Sequence, residues 1–109
     1  MGKKGEITLA EAMKVEDRVL EPGTYVVQHR ESHGDHFVRF LKLTVLDYSM
    51  ADTGSSDTYT VEDNAGEIKC RVEPASGPIK QTTVYTVTEN GTERITKVAI
   101  RGENVVHVF

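Results

Sequence analysis

The sequence predicts an all-β fold, a single antiparallel β-sandwich or partly closed small barrel of about seven to nine strands. Three observations point there. The chain holds 14 Val, 12 Thr and 5 Ile against 5 Leu and 6 Ala, and β-branched side chains lose χ1 freedom in a helix while fitting a pleated sheet. Short apolar alternations recur, divided by clusters of Gly, Pro, Asn and Asp at sandwich-like spacing. At 109 residues the chain suits one compact domain and not two, so 1–109 reads as one unit, with 1–6 as a flexible or appended start.

The elements follow in order. Thr8-Leu9-Ala10-Glu11 has the form of a capping box and opens the one segment suited to a short helical turn, ending near Val15. Arg18 to Leu20 reads as a strand leading into Glu21-Pro22-Gly23-Thr24, where Pro22 presets a turn and Gly23 supplies a positive φ. A strand over 25–30 returns through Glu31-Ser32-His33-Gly34-Asp35 as a long run from His36 to about Asp47, expected to bend or bulge. Residues 49–56 read as a polar loop. Strands over 57–62 and 67–73 are expected to be joined by a turn at Asp63-Asn64-Ala65-Gly66, and Pro74 to Pro78 breaks the chain again. Three closing strands, over 81–88, 93–101 and 105–109, are joined at Asn90-Gly91 and Gly102-Glu103. Asn-Gly between β runs signals a hairpin, because both residues accept the positive φ of a type I′ turn. The same turn accounts for Asn90-Gly91-Thr92 more simply than glycosylation does.

Composition excludes several functions. With 13 Lys+Arg against 17 Asp+Glu the net charge is -4, so the basic field that binds nucleic-acid phosphates is missing. No run approaches the roughly 18 apolar residues of a membrane span, and the first residues lack the apolar stretch of a signal peptide. Glu6 stands where N-myristoylation needs Ser or Thr. Cys70 is the only cysteine, so no internal disulfide forms.

Strand parity gives the candidate site. Ile68, Cys70 and Val72 share a face opposite Glu67, Lys69, Arg71 and Glu73, so Cys70 points inward. Tyr25, Val27 and His29 share a face in the same way. If the loop spans 30–35, His29 pairs directly with His36; a tighter turn at His33-Gly34 makes them diagonal neighbours on the same face. Pairing Ile100 with Val105 and Val98 with His107 turns His107 inward beside Phe109. A turn at 63–66 would bring Tyr59 opposite Cys70. His33, beside Asp35 in the loop, is expected to face solvent.

Inward imidazoles and a thiol match the ligand chemistry of transition metals. The candidate metal ligands are His29, His36, Cys70 and His107, with copper as the first metal and zinc as the second; Tyr59, Tyr25 and Phe109 support them from behind. Cys70 is followed by Arg71-Val72-Glu73-Pro74, which departs from the clustered Cys, His and Met of blue-copper loops. The alternative is a metal-free β module for a protein or small ligand, with Cys70 as a small hydrophobe. Catalysis is disfavoured, since an apolar face does not activate a thiol and no serine elbow or phosphate loop is present.

The segments Val19-Leu20-Glu21-Pro22-Gly23-Thr24-Tyr25-Val26-Val27-Gln28-His29, Asp35-His36-Phe37-Val38-Arg39-Phe40, Lys69-Cys70 and Arg101-Gly102-Glu103-Asn104-Val105-Val106-His107-Val108-Phe109 resemble small exported β-domain proteins common in acidobacterial genomes. The resemblance implies a mature periplasmic or secreted domain with Met1 appended. It matches His29, His36, Cys70 and His107 position by position, departs at Arg39, and implies no reaction.

Overall fold

A computed structural model describes residues 3–50 and 55–109, and the side chains of 3–44 and 60–109. Among the described residues there are nine strands: β1 (Lys4–Leu9), β2 (Met13–Val15), β3 (Arg18–Leu20), β4 (Gly23–Ser32), β5 (Asp35–Met50), β6 (Ser55–Pro74), β7 (Thr83–Glu89), β8 (Thr92–Ala99) and β9 (Val105–Val108). They form one sheet in the order β1-β4-β5-β6-β9-β8-β2-β3, with β7 also on β8; the sheet does not close into a barrel. All pairings are antiparallel except that of β2 with β8, which is parallel. No helix among the described residues is long and apolar enough to cross a membrane.

The sheet folds over itself through β6, whose first part pairs with β5 and whose end, Arg71 to Pro74, pairs with β9. One strand thus serves both halves, and their inward faces share one core. Val27, Val38 and Phe40 from one half and Val15, Ile95 and Val98 from the other are almost wholly buried in that cluster. Alternation makes this inevitable along β4, where Tyr25 and Val27 are buried between half-buried neighbours.

The turns set the register. His33 and Gly34 both take positive φ, 52° and 83°, so the β4–β5 hairpin closes on two residues and pairs His29 with Val38 and Glu31 with His36. His29 and His36 are therefore diagonal neighbours on one face, the tighter of the two arrangements. Asn90 and Gly91 repeat the device at φ 52° and 78°. In the last hairpin Val98 pairs with His107, as parity requires.

Four local expectations are corrected. Thr8 to Val15 forms no helical turn: β1 runs through Leu9 with Ile7 and Leu9 buried and Thr8 exposed, and this period of two overrides the capping-box composition. β1 also begins at Lys4, paired with Gln28, so residues 4–6 belong to the sheet. Asp63 to Gly66 is no turn, because β6 continues through it with a register shift opposite Phe40 and Leu41. Gly66 N–H donates to Asn64 Oδ1 at 3.0 Å, so the turn-forming residues build a bulge inside the strand. The loop expected over 49–56 is also shorter, since Ser49 and Met50 pair with Ser56 and Ser55; residues 51–54 lie outside the described residues.

Candidate metal centre

His29 is held by β4, His36 by β5, Cys70 by β6 and His107 by β9, all with the inward parity of their strands. His36 lies opposite Cys70, and His107 lies opposite Val72, one diagonal step from Cys70 on the same face. The structure thus brings together all four residues of the expected ligand set. What joins them is a fifth residue, Glu103.

Glu103 follows the turn after β8. Its N–H donates to Ile100 O at 3.1 Å across Gly102, whose φ is 92°, so the turn centres on Arg101-Gly102. Ile79 pins both sides: its N–H donates to Glu103 O at 2.9 Å, and its carbonyl accepts Gly102 N–H at 3.0 Å. With its backbone fixed, Glu103 turns its carboxylate inward. Oε2 lies 2.8 Å from His29 Nδ1 and Oε1 2.7 Å from His107 Nε2. The two ends of the chain continue outward, with His29 Nε2 2.9 Å from His36 Nδ1 and Cys70 Sγ 3.6 Å from His107 Nδ1.

These contacts assign the protons of the neutral network. A carboxylate only accepts, so His29 donates from Nδ1 and His107 from Nε2. Each neutral ring then has one bare nitrogen: His29 Nε2 accepts from His36 Nδ1–H, and His107 Nδ1 accepts from the Cys70 thiol. Two arms of donors converge on one carboxylate. His107 is wholly buried, and burial holds its pKa below the ordinary histidine value despite the opposing pull of Glu103. Burial, and then the Glu103 charge, push the Cys70 thiol up to about 11, so at neutral pH it is a protonated donor and not a thiolate.

One ligand atom each from His29, Glu103 and His107 lie within 4.8 Å of one another. Two imidazoles and a carboxylate are an established donor set for zinc and for iron(II). The side chains of Glu103 and His29 are 9% and 14% exposed, so the group is largely withdrawn from water. His36 and Cys70 stand one hydrogen bond outside it.

The three expected supporting residues fall elsewhere. Tyr25 is buried but directs its hydroxyl to Glu21 O at 2.6 Å, and Phe109 stacks at 6.1 Å on Phe40. Tyr59 pairs with Leu46, far along the uninterrupted β6 from Cys70, because the turn that would have opposed them does not exist; its side chain lies outside the described residues. His33 is exposed in its turn. Sequence reasoning missed Glu103, which precedes β9 in the turn and takes its inward direction from the backbone bonds to Ile79. No family model, curated protein or solved structure matches the chain.

Proposed function

We propose that this domain binds a divalent transition-metal ion through His29, Glu103 and His107. The observation that carries the reading is the approach of three donor atoms to within 4.8 Å in a largely buried position. Copper(II) heads the affinity order for nitrogen and oxygen sites, with zinc(II) below it, so copper is the first metal of the proposal and zinc the second. A metal ion would replace the protons on His29 Nδ1 and His107 Nε2, so the other ring nitrogens would carry N–H toward His36 and Cys70, which would fix how the two imidazoles are presented, as outer partners of metal-bound histidines do. An exported location belongs to the same proposal on the family resemblance alone; recovery of the native protein in the cytoplasm of its own cells would remove it.

Calorimetric titration of the chelator-treated chain tests the site. One copper or zinc ion per chain is expected, with affinity reduced by about tenfold or more in Glu103→Gln and His107→Gln. A native chain that binds no more tightly than Glu103→Gln would sink the proposal. The copper form is expected to lack an intense thiolate charge-transfer band, since Cys70 stands behind His107, one hydrogen bond outside the ligand group. Such a band, lost in Cys70→Ser, would return the ligand set to His29, His36, Cys70 and His107.

A second reading has its own observation. Among the described residues no buried side-chain nitrogen or oxygen lacks a hydrogen-bond partner, so the cluster is complete as a metal-free polar network in a β interaction module. An unchanged melting temperature in excess copper and zinc would favour it.

A further inference from the structure

We infer that the cleft in front of His29 and Glu103 takes a small carboxylate, held beside the metal ion; the inference rests on the metal-binding reading. The cleft has a volume of about 860 Å³, with the β4 residues Gln28 to Glu31 on one side and Gly102 to Val105 on the other. Lys3 bridges the two walls. Its carbonyl accepts His29 N–H at 3.1 Å, and its aliphatic stem crosses Gly102, 3.8 Å from where a Cβ would stand.

His29 and Glu103 line this cleft but His107 does not. His107 is wholly buried, with Cys70 at 3.6 Å behind it. An ion held by the three residues therefore meets outside molecules from the cleft side, and a coordination position left free by three protein ligands opens there.

Charge selects the occupant. Lys3 stands against Glu31 and Glu103 along the walls, so a divalent ion turns the cleft net positive by about one charge and suited to a monoanion. Arg30 turns its guanidinium away from the cleft, giving Nη1 to Glu67 Oε2 at 2.9 Å on the outer face of the sheet, which leaves the Lys3 ammonium as the cation beside the ion, and a small carboxylate can meet both. Glu31 in the same wall disfavours the second charge of a phosphate dianion. Gln28 and Asn104 add amides that donate and accept, which suits a carboxylate bearing other polar groups.

Cobalt(II) loading of the full chain, followed by its d–d absorption, separates the two layers of inference. Uptake of cobalt, lost in Glu103→Gln, tests the metal site before any anion is added; a chain that takes up no cobalt overturns both. With cobalt bound, acetate is expected to shift the bands saturably, and the dianion succinate to do so more weakly. By linkage they tighten cobalt binding by the same factor that cobalt tightens theirs. Lys3→Met is expected to weaken the carboxylate response about tenfold while cobalt affinity without carboxylate stays within about threefold, and Arg30→Met is expected to leave both unchanged. Bands that ignore carboxylates, respond equally in Lys3→Met, or move only with inorganic phosphate overturn the inference and leave the metal site standing.

Discussion

The imidazoles of His29 and His107 meet around one carboxylate, their ring centroids 4.3 Å apart and their planes tilted by 57°. Two donors from opposite halves of the sheet thus share Glu103, at 2.8 and 2.7 Å. Glu103→Gln keeps the shape but presents one imidazole N–H with an amide N–H₂. Relief requires a tautomer change that propagates to His36 on one arm or to Cys70 on the other. The metal-free protein is expected to lose about 2–3 kcal/mol, read from urea unfolding. As a control, Glu73→Gln removes an exposed ion pair with Arg71 and should cost under about 0.5 kcal/mol. Equal losses in the two variants would show that the shared carboxylate carries no special weight.

Stability is expected to fall on both sides of a plateau. His107 has a depressed pKa when folded, so unfolding takes up a proton below about pH 6.5, and its contribution, present above that pH, is lost as pH falls. Cys70 has a raised pKa, from 9.0 to about 11. Its contribution is complete below pH 9 and is lost as pH rises through 11, on the order of 2 kcal/mol. Urea midpoints measured across pH in the metal-free chain check both limbs. Cys70→Ser should flatten the alkaline limb, and an alkaline limb equally steep in that variant would assign it to other groups. Native-state alkylation of Cys70 should likewise stay slow until the pH approaches 11.

Much of this centre was legible in the chain because alternation is local. A residue's face depends on its neighbours two positions away, so Cys70, His29 and His107 could be turned inward from their own strands. Where the chain turns was harder to read. Asp63-Asn64-Ala65-Gly66 has turn composition, yet Asn64 satisfies Gly66 N–H locally and the strand runs on; that decision rests on the pairing with β5. Glu103 was hidden for a related reason. An acidic residue beside Gly102 reads as solvent-facing turn chemistry, and only the bonds to Ile79, on a distant segment, fix the backbone that turns its side chain inward.

Gly5 in β1 leaves room for Thr82. A Cβ at Gly5 would stand 2.1 Å from Thr82 Oγ1 and 2.8 Å from its Cβ, while Oγ1 accepts Arg101 N–H at 3.0 Å. Moving Thr82 aside therefore breaks a hydrogen bond to the segment that leads into the Glu103 turn. Gly5→Ala is expected to cost about 2 kcal/mol. In a Thr82→Gly background the same change should be close to neutral, giving a coupling of about 1–2 kcal/mol in a double-mutant cycle. Additive effects would show that the two residues do not crowd each other.

Tyr25 ties the start of β4 to the turn before it. Its ring is 1% exposed in the core, and its hydroxyl donates to Glu21 O at 2.6 Å, closing the Glu21-Pro22-Gly23 corner over the strand that carries His29. Burial, and then the nearby Glu21 charge, raise the phenol pKa above 10.0, which keeps the donor protonated throughout the neutral range. Tyr25→Phe retains the packed ring and removes the hydroxyl, so the expected loss is about 1 kcal/mol, against about 3–5 kcal/mol for Tyr25→Ala, which empties the site. Thermal melts provide the comparison. His29 lies two pleats further along β4, anchored by its own bonds to Lys3 O and Glu103, so metal affinity in Tyr25→Phe should match that of the native chain. A Tyr25→Phe variant that melts like the native chain would mean the corner is held by Pro22 and Gly23 alone.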